Sequence, residues 1–237
     1  MSFGTHQPLS ITLHGSVLTQ VTSHRHLGVI LQEDLRWTLH MEHLESKIAK
    51  ALHLLRRIRG TITANALKLV YTVYVRPVIE YGSLALSSLT VQQRDTLERI
   101  QRRAAKVCLR LPLYQPCHHS SLLHHLSLPT LSSRQKVKQF LSAHAILHHY
   151  APPHIQAVVN EFMHPPQRPL RQPRSFSLPT GHTSRYASSP LVSALHLFNS
   201  LPLDIRVTEN VEAFKLLVAP FIESCICSCS VAGCSPP

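Results

Sequence analysis

Apolar residues recur at three- and four-residue steps in several parts of this chain, and that period restricts most of it to helical structure. The first such run begins near Leu39 and stops at Gly60, a residue typical of helix ends. Its apolar stripe consists of Met41, Leu44, Ile48, Leu52 and Leu55. We therefore predict an amphipathic helix here, with Lys50 and Arg57 on the side opposite the stripe.

A second helix is predicted from Thr63 to about Arg76, since Pro77 lacks a backbone donor and favours a kink or an end. Three tyrosines lie in or near this helix: Tyr71, Tyr74 and Tyr81. An aromatic ring here could stack on a nucleic-acid base. The spacing of Tyr71 and Tyr74 suits core packing as well, and we favour the core.

The third predicted helix carries a sharp separation of apolar and basic residues. Thr90 and Gln93 have the spacing of a capping box, so the helix is expected to run from Val91 to Leu111, before Pro112. One face is apolar: Leu97, Ile100, Ala104, Val107 and Leu111. The other face is basic: Arg99, Arg102, Arg103, Lys106 and Arg110.

This basic face has two interpretations. A run of charge is usually a solvated helix surface, but here acidic residues are few, with only Asp95 and Glu98 near the helix start. Cations without acidic neighbours bind phosphates and release counterions. We favour nucleic-acid contact by this face, with Lys50 and Arg57 as further candidate contacts.

The predicted fold class is mainly α, with a small β-hairpin in the first part of the chain, where short apolar runs flank His14 and Gly15. A further helix is expected from Ser133 to Tyr150, followed by a Pro/Arg-rich extended linker and a helical pair, Leu191–Asn199 and Val211–Phe221. The predicted segments are a hairpin (1–37), a helical region (38–150), the linker (151–189), C-terminal helices (190–223) and a Cys-rich disordered tail (224–237).

The chain is strongly basic, which favours a polyanion as partner. It has 24 Lys and Arg against 12 Asp and Glu, a formal net charge of +12. No signal-like segment and no long apolar run is evident, so we predict an intracellular protein of the nucleus or cytoplasm that is neither secreted nor membrane-bound. The expected partners are RNA, DNA or an RNA–DNA hybrid.

Six cysteines and 18 histidines raise the question of a metal site. The histidines and Cys117 near residue 120 lack the spacing of a zinc motif, and Cys225, Cys227 and Cys229 alternate too tightly for a zinc knuckle. We therefore expect reduced thiols, no metal and no cofactor.

Four blocks in the first half of the chain carry a family resemblance. They are HLGVILQEDLRW (26–37), SKIAKALHLLRRIRG (46–60), LVYTVYVRPVIEYGS (69–83) and LERIQRRAAKVCLRL (97–111). Later come SLPTLSSRQ, TSRYASSPLVSALHLFNSLPLDIR and VEAFK. In this order the blocks resemble the thumb and post-thumb region of reverse transcriptases of non-LTR (LINE-type, jockey-like) retrotransposons. The resemblance implies a helical thumb that holds nucleic acid.

Catalysis in that family requires metal ions held by clustered aspartates, with an aromatic residue closely followed by Asp-Asp. This chain has Asp34, Asp95 and Asp204, and none adjoins another. It also lacks a glycine-rich phosphate loop and a G-x-S-x-G elbow. We therefore expect no catalytic residues and no enzyme activity from this chain alone.

Three functions remain open. The first is a truncated retrotransposon fragment that keeps a basic nucleic-acid-binding region without a polymerase site. The second is the thumb and C-terminal part of an active RNA-directed DNA polymerase whose palm lies on a missing N-terminal portion. The third is an unrelated basic helical adaptor that binds RNA or protein partners.

Overall fold

The computed structural model describes residues 11–148, 150–160, 176, 178 and 183–229. It is mainly helical with small hairpins near its start, so the predicted fold class is confirmed. The chain forms two compact units, residues 1–82 with 89–128 and residues 83–88 with 129–237. The division falls inside the region 38–150, which the sequence alone presents as continuous.

Two β-hairpins precede the helices. Strand β1 (Thr12–Leu13) pairs antiparallel with β2 (Ser16–Val17), and β3 (Ser23–His26) pairs with β4 (Val29–Gln32). The two turn residues of each hairpin have positive φ: His14, Gly15, Leu27 and Gly28. Such turns match the right-handed twist of paired strands. The predicted single hairpin is therefore present as two.

Helix α1 (Thr38–Ile58) buries its whole predicted apolar stripe, from Met41 to Leu55. Its last helical residue lies two positions before Gly60, as the sequence predicts. Because the stripe follows the 3.6-residue period, one side of this 21-residue helix supplies much of the core of the first unit.

The second predicted helix extends beyond Pro77. Thr63 caps α2 (Ala64–Val70) by accepting a hydrogen bond from the Ala66 backbone N–H, as expected for a helix start. A π-helical turn (Tyr71–Val75) then leads into α3 (Arg76–Glu80). Of the two outcomes predicted at Pro77, a kink or an end, the end is wrong, because proline falls in the first turn of α3, where its missing N–H is tolerated.

The second hairpin is fastened to the end of α3. The Tyr81 hydroxyl donates a hydrogen bond to the Leu27 carbonyl in the hairpin turn. A Cβ at Gly28 would lie 3.2 Å from Cε1 of Tyr81, closer than most such contacts, and Gly28 has a φ of +86°. A side chain at position 28 would therefore be strained in this turn and would crowd the Tyr81 ring.

The first unit is completed by α4 (Val91–Cys108) and α5 (His119–His125). The capping box predicted at the start of α4 is confirmed: Thr90 accepts from the Gln93 N–H, and the Gln93 side chain accepts from the Thr90 N–H. Of the predicted apolar face of α4, the four residues within the helix are buried: Leu97, Ile100, Ala104 and Val107.

The second unit is built on three helices: α6 (Leu131–Leu147), α9 (Pro190–Asn199) and α11 (Val211–Cys229). Their apolar sides form one cluster that includes Phe140, Phe198 and Phe214. Shorter helices flank them: α7 (Pro153–Asn160), α8 (Ser184–Ala187) and α10 (Leu203–Arg206). The two predicted C-terminal helices correspond to α9 and α11.

Two expectations for the second half of the chain are wrong where the structure describes it. The predicted extended linker contains α7 and α8, and Val159 of α7 is buried in the core cluster, which offsets the entropy of ordering this segment. The predicted disordered tail is helical as far as Cys229, because α11 propagates from a buried segment. The rest of both segments lies largely outside the described residues.

No helix in the described part of the chain is long and apolar enough to cross a membrane.

Candidate nucleic-acid interface

The structure separates the seven basic residues predicted to contact nucleic acid into five environments. Arg99 and Arg103 are exposed on one flank of α4, and Arg102 is partly buried on the next. Lys106 is buried, and Arg110 lies beyond the helix end. Lys50 and Arg57 are exposed on α1. The predicted continuous basic stripe is therefore wrong as a single surface.

The Lys106 side chain makes its contacts inside the fold and is not part of the exposed surface. Its side chain is 7% exposed, and its ammonium donates hydrogen bonds to the carbonyl oxygens of Leu113, at 2.9 Å, and of Gln115. These carbonyls belong to the loop that follows α4. Because a buried ammonium needs such acceptors, the loop and the lysine stabilise each other, and Lys106 is unavailable to a phosphate.

Arg110 leaves the stripe because α4 ends earlier than predicted. It has a φ of +58°, the Arg110 N–H donates to the Val107 carbonyl, and the Leu111 N–H donates to the Lys106 carbonyl. This pattern is a Schellman motif, which normally places glycine at the left-handed position. The Arg110 guanidinium also donates to the Ile62 carbonyl, at 2.6 Å, so it ties the helix end to the segment before α2.

A groove of about 290 Å³ lies between α1 and α4, and the two exposed arginines of α4 both line it. From α1 it is lined by Glu45, Ile48, Ala49 and Leu52, and from α4 by Thr96, Arg99, Ile100 and Arg103. Its apolar lining residues belong to the core and are almost fully buried: Ile48 is 0%, Leu52 7% and Ile100 8% exposed. The exposed part of the lining includes a cationic wall, formed by Arg99 and Arg103 of α4.

Local contacts orient the cationic wall. The Arg99 guanidinium donates a hydrogen bond to the Thr96 hydroxyl oxygen, at 2.7 Å, which leaves its other N–H groups for a ligand. Arg103 follows one helical turn later, about 6 Å along the axis. Both arginines line the same wall of the groove.

Neither arginine is neutralised by a carboxylate among the described residues. The nearby Glu98 instead accepts a hydrogen bond from His119 Nε2, at 3.0 Å, on another side of α4. Glu45 lines the α1 wall and is the acidic group of the groove. The exposed cations of α4 therefore outnumber the acidic residue facing them, and the wall attracts anions.

Lys50 and Arg57 do not line this groove. They share the outer face of α1, opposite its buried stripe, as the sequence predicts. Arg56, which the sequence analysis did not single out, is exposed on α1 one helical turn after Leu52, but it is not among the residues that line the groove.

The tyrosines divide between core and surface. Tyr71 is fully buried, as predicted, but Tyr74 is 56% exposed, so its predicted burial is wrong. Both tyrosines lie within the π turn (Tyr71–Val75), which changes the helical phase, and a regular-helix pattern cannot anticipate that shift. Tyr81, which is 54% exposed, is engaged by the Leu27 carbonyl.

Histidine and cysteine side chains assemble no group of three metal-ligating residues within the part of the chain that the structure describes. Cys108 is buried, and burial raises the pKa of its thiol to about 12. Cys117 is partly exposed. His149 and the side chains of the C-terminal cysteines lie outside the described residues.

Comparison with protein-family models, with curated proteins and with solved structures finds no match to this chain.

Proposed function

We propose that this chain derives from the thumb and post-thumb region of a non-LTR retrotransposon reverse transcriptase and binds nucleic acid without catalysing nucleotide transfer. The resemblance of the blocks between His26 and Arg110 motivates the assignment of ancestry. The binding activity rests on one observation: Arg99 and Arg103 stand side by side, exposed, on the wall of the α1–α4 groove. The net charge of +12 favours the approach of a polyanion from any direction.

The missing pair of adjacent aspartates is the reason to propose binding without chemistry, since nucleotidyl transfer depends on metal ions that such aspartates hold. If this chain works beside a palm on another segment, the same groove would grip the template and the nascent strand. Primer extension by the chain alone would contradict a purely binding role.

A second candidate function is protein binding by a helical adaptor. The groove between α1 and α4 motivates it, because helical peptides dock into grooves between helices. The two candidates differ in their dependence on salt: phosphate contacts release counterions and weaken steeply with salt, whereas an apolar docking contact does not.

The test is fluorescence anisotropy of the full chain with a labelled RNA–DNA hybrid across a salt series. The double variant Arg99→Ala/Arg103→Ala should bind more weakly. The slope of log affinity against log salt should fall by about 1.4–1.8, since each of the two phosphate contacts contributes about 0.7–0.9. The loss should be similar for hybrids of different sequence, because phosphate contacts carry no sequence information.

The matched control is Arg36→Ala/Lys215→Ala, which removes the same charge at two exposed side chains already paired with Asp34 and Glu212. It should leave the slope nearly unchanged. Equal losses in the two double variants would show that net charge, and not the groove, governs binding. Absence of salt-dependent binding in the unmodified chain would refute the proposal.

A further inference from the structure

A second group of exposed arginines lies where the C-terminal ends of α1 and α4 meet. In the groove, residues 45–52 of α1 lie beside residues 96–103 of α4. Beyond the helix ends, the Arg110 guanidinium donates a hydrogen bond to the Ile62 carbonyl, at 2.6 Å. Both helices therefore end on the same side of the first unit. Four exposed arginines belong to this region, here called the junction patch: Arg56, Arg57, Arg59 and Arg110.

The turn after α1 keeps the members of the junction patch near one another. The Ile58 carbonyl accepts hydrogen bonds from the Thr61 backbone N–H, at 3.0 Å, and from the Thr61 hydroxyl, at 2.9 Å. Arg59 precedes Ile62 by three residues, which limits the separation of their Cα atoms to about 11 Å. Since Arg110 uses one N–H on the Ile62 carbonyl, its other N–H groups are left for a ligand.

Acidic residues are distant from the junction patch along both helices. No Asp or Glu occurs from residue 46 to 79 or from 99 to 128, and the four arginines form no ion pair with a carboxylate of the described residues. Glu45 and Glu98 precede Arg56 and Arg110 by about 16–18 Å, at 1.5 Å per residue. Physiological salt screens exposed charges over about 8 Å. The patch therefore keeps a positive potential that attracts anions.

We propose that the junction patch is a second phosphate-contact surface, which continues the cationic wall of the groove and holds the backbone of the same nucleic acid. This inference rests on the proposed function and extends the surface that carries it. Arg110 follows Arg99 by about 16 Å along the direction of α4, roughly the length of five phosphates of one strand at about 3.4 Å each. Guanidinium groups suit this role because they bind phosphate oxygens through paired hydrogen bonds.

Arginines at this place could instead act only on the fold. Cations near the C-terminal end of a helix interact favourably with its unpaired carbonyl groups. The two roles differ in what they change: a phosphate contact alters the salt dependence of binding, whereas an interaction with the helix end alters only the stability of the folded chain. Binding and unfolding must therefore be measured on the same variants.

The experiment measures binding of a labelled RNA–DNA hybrid to the full chain across a salt series, together with urea unfolding. Arg56→Ala/Arg59→Ala should lower the slope of log affinity against log salt by about 1.4–1.8, since each of the two phosphate contacts contributes about 0.7–0.9. Adding Arg99→Ala and Arg103→Ala should lower it by about 2.8–3.6 in total, because both surfaces hold one ligand. The control Arg36→Ala/Lys215→Ala removes the same charge and should leave the slope nearly unchanged.

The possible failures can be told apart. A slope that falls in Arg99→Ala/Arg103→Ala but not in Arg56→Ala/Arg59→Ala would overturn the inference and leave the proposed function standing; a lower urea midpoint in the second variant would then assign the patch to the helix ends. Absence of salt-dependent binding in the unmodified chain would refute both. Displacement of the hybrid by polyglutamate at an equal or lower concentration of charge would overturn the inference in favour of an acidic protein partner.

Discussion

Replacing Lys106 should destabilise the first unit without weakening its grip on nucleic acid. The side chain is 7% exposed, and its ammonium holds the carbonyls of Leu113 and Gln115. Lys106→Met keeps most of the buried stem and removes only the charged donor. A hydrogen bond from a charged group contributes about 1.5–3 kcal/mol.

The two bonds are not additive in this case. Leu113 and Gln115 are exposed residues, so their carbonyls can regain water when the ammonium is removed. We therefore expect a net loss of about 2 kcal/mol in the free energy of unfolding. With a urea dependence of about 1–3 kcal/mol per molar, the unfolding midpoint should fall by about 1 M.

Tryptophan fluorescence is the assay, because Trp37 is the single tryptophan of the chain and is 9% exposed within the first unit. Arg103→Ala is the contrast: its side chain is exposed, so the urea midpoint should hardly move while the salt slope of nucleic-acid binding falls. An unchanged midpoint for Lys106→Met, together with a salt slope lowered by about 0.7–0.9, would refute the assignment of Lys106 to the fold.

Two further predictions concern buried titratable groups. The Nε2–H of His144 donates a hydrogen bond to the Thr208 carbonyl, at 2.8 Å. Burial lowers the pKa of the His144 side chain below the usual 6.5, so this histidine takes up a proton at higher pH in the unfolded chain than in the folded one. The second unit should therefore lose stability as pH falls below about 6.5, and His144→Gln should reduce that loss. Circular dichroism at several pH values measures the loss of stability. The same pH dependence in the variant and in the unmodified chain would contradict the argument. Burial also raises the pKa of the Cys108 thiol to about 12. At neutral pH a thiol reagent should therefore label Cys117 but not Cys108 until urea unfolds the chain, as measured by peptide mapping. Equal labelling of the two thiols in the folded protein would contradict this prediction.

Local sequence rules accounted for several elements of the fold. The stripe of α1 and the capping box of α4 both depend on residues within a few positions of each other, and both are present as predicted. The same rules failed to predict that helical structure continues past Pro77, where the proline lies in the first turn of α3. They failed again for α7, whose helix is stabilised by burial of Val159 against residues distant in sequence.

The candidate site likewise combines features that helical period predicted with features that it could not predict. Helical period alone placed Arg99 and Arg103 on one side of α4, and both are exposed there. It could not show that a loop folds back over Lys106, or that Arg110 turns away at a Schellman motif. Nor could it show that α1 supplies the opposite wall, since nothing local to either helix specifies that pairing.

The sequence by itself determined the helical class of this protein, its main helix positions and its excess of positive charge, because helical period, capping and charge are properties of neighbouring residues or of composition. Tertiary structure decided which cations face solvent and which serve the fold. Lys106 and Arg103 lie in similar sequence contexts, and they differ in their tertiary surroundings. The loop after α4 supplies carbonyls that bind the ammonium of Lys106, whereas Arg103 lines an open groove.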